Sequence, residues 1–271
     1  MTRLITLLLP VVVCLCASCQ NPAAQEEKAV QAIEALGGQV SRDETLPGRP
    51  VVEVDLSETN VTDSDLKILK ELRGLQELNL ARTHITGVGL KDLKGLKGLR
   101  RLYLYGTKIT DAGLKDLKEL KGLQELYLAE TQITDASLKD LKKLKGLLKL
   151  SLSYTQITDA GLKDLKELKG LRGLWLDGAA IPLKDPKELK GQPIPGFNGT
   201  WITDAGLKDL KELKGLQNLG LSGTYITDAG LEHLKELKDL QKLDLSETRT
   251  TNAGRDDLRQ ALPKLYIDRQ P

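Results

Sequence analysis

Leucines recur along most of this chain at two alternating spacings. Residues 123–128 read Leu-x-x-Leu-x-Leu, which places the leucines on one face of a short strand and Tyr127 on the other. Further along, Leu138, Leu141 and Leu144 follow helical spacing and predict a helix that buries one stripe. Each unit of the pattern therefore predicts one strand followed by one helix.

This unit repeats along most of the chain. Successive units are 24 residues apart, with one interval of 21, so the pattern predicts about nine turns of a solenoid. Because each unit can bury its leucines only against its neighbours, the array should be stable only as a stack. One residue marks the turn after each strand, at Thr59, Thr83, Thr107, Thr131, Thr155, Ala179, Thr200, Thr224 and Thr248.

The polar residues at each bend have predictable roles. The hydroxyl of Thr131 can bond to backbone groups that the bend leaves unpaired. Either Thr134 or Asp135 is suited to be the N-cap of the helix, and Gly146 is predicted to be its C-cap.

These residues resemble the leucine-rich repeat family. The consensus Leu-x-x-Leu-x-Leu-x-x-Asn is met over roughly residues 51–267, except that its ninth position is Thr here. The motif Ile-Thr-Asp-Ala-Gly-Leu is similar to the repeats of bacterial exported proteins and of F-box substrate receptors. The resemblance implies an α/β solenoid curved like a horseshoe, with parallel strands on the concave side and helices on the convex side. One fold hosts many functions, so the resemblance alone fixes none of them.

The two ends of the array are predicted to be caps. Helices are expected over 25–36 and 253–261, and strands over 39–42, 50–56 and 265–267. The chain is accordingly divided into a signal peptide (1–18), a lipid-anchor tether (19–24), an N-terminal cap (25–50), the repeats (51–250) and a C-terminal cap (251–271).

One turn, residues 179–199, departs from the pattern. Pro193 and Pro195 cannot donate hydrogen bonds to a sheet, and Phe197 stands at an inward leucine position. A local break in the strand ladder is expected, with an irregular loop near 182–199. Drift in a tolerant repeat explains it, and a hinge or ligand-contacting segment is the alternative.

The N-terminus indicates export. An apolar run over residues 4–15 follows Arg3 and is too short to span a bilayer. Residues 15–19 resemble a bacterial lipobox, which implies cleavage before Cys19 and its lipidation, although Cys16 departs from the apolar residue expected there. The protein is therefore expected to be anchored in the cell envelope by that lipid, with plain secretion as the alternative.

The amino-acid composition disfavours several classes of function. Lys and Arg total 40 and Asp and Glu 38, a formal net charge of +2 that argues against a nucleic-acid binder. The chain has two histidines, no cysteine after residue 19, and no phosphate-binding, dinucleotide or nucleophile-elbow motif. We expect no cofactor, no metal and no enzymatic activity. The aspartates at the helix starts are expected to be N-caps rather than a metal column, namely Asp111, Asp135, Asp159, Asp204 and Asp228.

The outward residues of the strands predict the functional surface. One residue lies between the strand leucines of each turn, in the order Asp55, Asn79, Tyr103, Tyr127, Ser151, Trp175, Gly196, Gly220 and Asp244. Aromatic residues cluster in the middle turns of the array. Tyr, Trp and Arg are the residue types that dominate the binding energy of protein interfaces. The candidate ligand-binding residues are Arg101, Tyr103, Tyr105, Tyr127, Lys149, Tyr154, Trp175 and Asp177. Packing between neighbouring strands is the alternative role for these aromatic rings.

Three functional hypotheses follow. The first is an exported recognition module that binds a protein, or else a polysaccharide, on the concave strands, and contacts the membrane only through its lipid. The second is a structural component of the envelope or a scaffold. The third is an intracellular substrate receptor, which the resemblance to F-box proteins implies and the export signal opposes.

Overall fold

A computed structural model describes residues 21–178 and 199–268 of the chain. The predicted signal peptide, Cys19 and the segment 179–198 lie outside the described residues.

The described strands form one ten-stranded sheet in chain order. The first two strands pair antiparallel, and each later strand pairs parallel with the one before it. The strands are β1 (Gln39–Arg42), β2 (Val51–Asp55), β3 (Glu77–Asn79), β4 (Arg101–Tyr103), β5 (Glu125–Tyr127), β6 (Lys149–Ser151), β7 (Gly173–Trp175), β8 (Asn218–Gly220), β9 (Lys242–Asp244) and β10 (Tyr266–Ile267). This order confirms the solenoid that the leucine pattern predicts.

Helical segments connect the strands. The α-helices are α1 (Pro22–Ala35), α2 (Asp111–Leu114), α3 (Asp135–Leu141), α4 (Asp159–Leu165), α5 (Asp204–Leu210), α6 (Asp228–Leu231) and α7 (Asn252–Ala261). Short 3₁₀ segments cover Leu66–Glu71, Val88–Gly95, Lys115–Glu119 and Glu232–Leu234. In the part of the chain that the structure describes, none of the helices combines the length and the apolar character needed to cross a membrane.

The leucines of all turns join into one buried core. Leu126, Leu128 and Leu138 are completely buried, and the equivalent residues of the other described turns are buried with them. The marker threonine closes each bend above this core: Thr131 is 1% exposed and donates its hydroxyl to the carbonyl oxygen of Leu128 at 2.6 Å. The predicted role of the Thr131 hydroxyl is confirmed.

The predicted C-cap at Gly146 is wrong. The helix α3 ends at Leu141, before that glycine. A Cβ on Gly146 would lie 3.3 Å from the carbonyl oxygens of both Lys121 and Leu123 in the preceding turn. Glycine is therefore placed there because two turns approach closely, and not because a helix ends.

The described strands continue the ladder across the irregular turn, whereas the break and irregular loop expected near 182–199 lie outside the described residues up to residue 198. β7 pairs directly with β8, with Leu174 opposite Leu219 and Trp175 opposite Gly220. The strand expected around Gly196 lies outside the described residues, and among the described residues eight marker threonines are present where nine turns are expected.

Thr200, and not Ala179, marks the irregular turn. Its hydroxyl donates to the carbonyl oxygen of Leu176, as the hydroxyl of Thr155 donates to that of Leu152. Leu176 and Thr200 therefore belong to one turn, and the 21 residues 179–199 are additional to the usual length of a turn. Because 21 residues is close to the 24-residue period, the sequence pattern counts them as a turn of their own.

An aspartate and a threonine form a clasp between successive turns. Asp135 accepts the backbone N–H of Thr158 at 2.8 Å and its hydroxyl at 2.7 Å. The same hydroxyl accepts the backbone N–H of Ala160 at 3.2 Å, which makes Thr158 the N-cap of α4. Equivalent clasps join Asp63 to Thr86, Asp111 to Thr134, Asp159 to Thr203, Asp204 to Thr227 and Asp228 to Thr251.

The clasp corrects the expectation that the aspartates cap their own helices. The threonine is the cap, and the aspartate bonds to the following turn. The motif glycine makes room for the carboxylate, because a Cβ on Gly161 would lie 2.3 Å from Oδ1 of Asp135. One clasp is missing: Gly87 stands where an aspartate is expected, and Thr110 makes no side-chain cap.

Candidate functional site

The candidate site lies on the concave face of the sheet, where parallel pairing sets the outward residues side by side. Tyr103 is opposite Tyr127, Tyr127 is opposite Ser151, and Ser151 is opposite Trp175. This register brings most of the predicted binding residues onto one continuous strip.

Tyr103 and Tyr127 form a stacked pair that we call the tyrosine ridge. Their ring centroids lie 4.7 Å apart with an interplanar angle of 2°. The hydroxyl of Tyr127 donates to a carboxylate oxygen of Glu125 at 2.8 Å. Burial, followed by the charge of Glu77, raises the pKa of Tyr103 to about 12, and burial also raises the pKa of Tyr127. Both phenols therefore stay protonated near neutral pH.

The predicted cations flank the ridge in ion pairs. Arg101 pairs with Glu77 on the preceding strand, and Lys149 pairs with Glu125 at 3.1 Å. Both cationic side chains are about half exposed, so the pairs contribute at most about 1 kcal/mol each to stability. The two ion pairs neutralise charge along the ridge, and they restrict the conformations of the Arg101 and Lys149 side chains that a partner would contact.

Trp175 forms a second feature, which we call the tryptophan platform. A Cβ on Gly173 would lie 2.7 Å from Cη2 of the indole, and a Cβ on Gly220 would lie 2.8 Å from Cδ1. The indole therefore lies along the sheet, with its two ends over positions that carry no side chain. A recess of about 380 Å³ opens beside it.

Asp177 borders this recess. Its carboxylate accepts the hydroxyl of Ser153 at 2.8 Å and the backbone N–H of Ser222 at 3.0 Å. Burial raises the pKa of Asp177 despite these two hydrogen bonds, and the nearby charge of Asp244 acts in the same direction.

Tyr105 and Tyr154 lie to the side of the central row. The guanidinium of Arg82 is 5.7 Å from the ring centroid of Tyr105. Tyr154 has a φ of 56° in the bend after β6 and is 38% exposed. The two rings extend the aromatic surface without joining the ridge or the platform.

Six further residues line the recess and were not among the predicted binding residues: Asn218, Leu219, Gly220, Lys242, Asp244 and Asp268. The sequence pattern had placed Gly196 between Trp175 and Gly220. The marker Thr200 was the signal that could have corrected the register.

Aromatic residues also stack away from the concave strip. Trp201 and Tyr225 are nearly buried, with ring centroids 5.7 Å apart, and the guanidinium of Arg249 lies 5.4 Å from the ring centroid of Tyr225. Trp201 thus differs from Trp175, which is half-buried on the concave side. Within residues 21–178 and 199–268, no group of three or more His, Cys, Asp or Glu side chains is arranged to hold a metal ion.

Comparison with known proteins agrees with the geometry. Family models for leucine-rich repeats match residues 49–109 and 147–166. The chain is similar to the crystal structure of internalin C2 from Listeria monocytogenes, with a TM-score of 0.60, 22% identity, and coverage of 89% of this chain and 92% of that chain. It also matches an internalin InlF from the same organism at 18% identity and a TM-score of 0.30, covering 93% of this chain and 98% of that chain. No curated protein matches the sequence. At 22% identity, the similarity to internalin C2 concerns the fold alone.

Proposed function

Because this chain is a leucine-rich repeat protein, we propose that it is a non-enzymatic recognition module that binds a protein ligand on its concave face. The observation that carries the proposal is the continuous strip formed by the tyrosine ridge and the tryptophan platform. Large aromatic side chains on a rigid surface are typical of residues that dominate protein interfaces. A rigid sheet also holds them in place before binding, which lowers the entropy lost on association.

The core of the protein makes a purely structural role for these rings less favourable. Leucine and isoleucine fill most of the interior, and β2 pairs with β3, as β8 does with β9, without an aromatic residue in any of these strands. The fold of the repeats therefore does not depend on the aromatic side chains of the ridge and the platform.

A capture experiment tests this proposal. The purified full chain is immobilised beside a variant with Tyr103→Ala, Tyr127→Ala and Trp175→Ala, and both are exposed to envelope extract of the source cell. A matched control changes three lysines of the convex side that form similar exposed ion pairs, Lys145→Ala, Lys169→Ala and Lys214→Ala.

The proposal expects a protein that wild type and the convex variant retain and the concave variant loses. Loss from the convex variant alone would favour the scaffold hypothesis instead. Circular dichroism of all three proteins checks that their folds are equal.

We also propose that the protein is exported and anchored by a lipid on Cys19. The support is the apolar run that ends in Leu-Cys-Ala-Ser-Cys. Cys19→Ala should move the protein from the membrane fraction to the soluble fraction, whereas Cys14→Ala should leave it in place. Equal fractionation of both variants would contradict lipidation of Cys19.

A further inference from the structure

We infer that the recess beside Trp175 is a subsite for a neutral pyranose ring of a glycan. This inference goes beyond the proposed protein-binding role and is argued from the tryptophan platform and the polar groups around it.

The first argument is the position of the indole. Its ends lie over Gly173 and Gly220, so one face of the ring is turned to the sheet and the other to the concave side. Tyr103 and Tyr127 cover each other, but among the described residues no ring or cation stacks on Trp175. A flat apolar face that borders a recess is suited to the C–H face of a sugar ring.

The second argument is the mixture of polar groups around the platform. Lys149, Asn218 and Lys242 supply hydrogen-bond donors, whereas Asp177 and Asp244 supply acceptors. Each hydroxyl of a pyranose both donates and accepts, so it can use groups of both kinds.

The third argument is charge. Two lysines and three aspartates line the recess, the third aspartate being Asp268. Lys149 is already paired with Glu125. The formal charges of these five side chains sum to −1, which disfavours a polyanion, and the interspersed lysines leave only a weak field for a polycation. A neutral ligand with many hydroxyls meets donors and acceptors without opposing this charge.

The subsite is separate from the tyrosine ridge. Tyr127 and Trp175 stand two strands apart, which is about 10 Å, with the small Ser151 between them. A sugar ring on the platform leaves the ridge uncovered, and the sugar titration contains no protein ligand, so the two proposals can fail independently.

Tryptophan fluorescence gives a direct test, because the chain has only two tryptophans and Trp201 is 8% exposed. The full chain is titrated with neutral hexasaccharides of β-1,4-linked glucose, N-acetylglucosamine, mannose and xylose. Hexagalacturonate and a hexa-arginine peptide are the charged probes. We expect saturable quenching or a blue shift with at least one neutral probe, and neither with the charged probes.

Three variants locate the response. Trp175→Ala should weaken binding by about tenfold or more, equivalent to about 1.4 kcal/mol, as measured by calorimetry. Trp175→Phe should keep part of the affinity because a smaller ring remains, and Trp201→Phe should keep all of it. Gly173→Ala should weaken binding by displacing the indole, whereas Gly95→Ala, where a Cβ meets nothing within 4 Å, should have no effect.

Several results would overturn the inference. These are no response to any neutral sugar at millimolar concentration, saturation by a charged probe alone, or full affinity in Trp175→Ala. A protein captured through the tyrosine ridge would leave each of these outcomes unchanged.

Discussion

Replacing Asp204 by alanine should destabilise the solenoid by about 3 kcal/mol. The carboxylate accepts the backbone N–H of Thr227 at 2.8 Å and its hydroxyl at 2.6 Å. Hydrogen bonds to a charged group contribute roughly 1.5–3 kcal/mol each, and partial exposure places both near the lower value. The threonine hydroxyl also accepts the N–H of Ala229 at 3.3 Å, so its loss of orientation weakens the cap of α6 as well.

Guanidinium unfolding followed by circular dichroism measures this loss. The matched control is Asp140→Ala, which removes a carboxylate of another helix that pairs only with Lys143, at 2.7 Å on the surface. The control should lose less than about 1 kcal/mol. If the two variants lost equal stability, the clasp would contribute no more than a surface ion pair, and the reasoning would be refuted.

Three further predictions follow from the same contacts. Gly230→Ala should destabilise the fold by about 1–3 kcal/mol, because its Cβ would lie 2.3 Å from Oδ1 of Asp204. Gly230→Ser should lose less stability, since the hydroxyl of Ser137 bonds to the clasp aspartate Asp111 at the equivalent position of α3. A lower melting temperature for Gly230→Ser than for Gly230→Ala would contradict this. Thr200→Val and Thr155→Val should each lose about 1 kcal/mol, because both hydroxyls close equivalent bends, and a clear difference in denaturant midpoints would argue against an insertion within one turn. Burial raises the pKa of Asp177, so wild type should lose stability as pH rises from about 4 through that raised pKa. The melting temperature of Asp177→Asn should therefore rise relative to that of wild type across this pH range. A difference in melting temperature that did not change with pH would contradict this prediction.

The sequence predicts the strands and the core well because each depends on short spacings. The alternation around Tyr127 fixes which face of its strand is buried, and the helical stripe from Leu138 follows from the same local pattern. The clasp was missed because Asp135 bonds to Thr158, 23 residues along the chain. Such a contact becomes visible only after the turns have been stacked.

The candidate site was predictable only in part for the same reason. The aromatic row follows from the alternation within each strand, so Tyr103, Tyr127 and Trp175 were identified. The recess depends on β8 lying directly beside β7, and the insertion concealed that register. The position of the indole over Gly173 and Gly220 could not be derived before the two strands were neighbours.

The missing clasp at Gly87 divides the array into two mechanical parts. Every other marked turn of the described repeats is tied to the next by a carboxylate, but here two backbones meet, and a Cβ on Gly87 would lie 2.6 Å from Cα of Gly113. In a solenoid, stability is a sum over the interfaces between neighbours, and this interface lacks the contribution that a clasp makes elsewhere. We therefore expect the N-terminal cap and first two turns to separate first in denaturant, while the clasped turns from Asp111 onward, which carry the tyrosine ridge and the tryptophan platform, stay assembled.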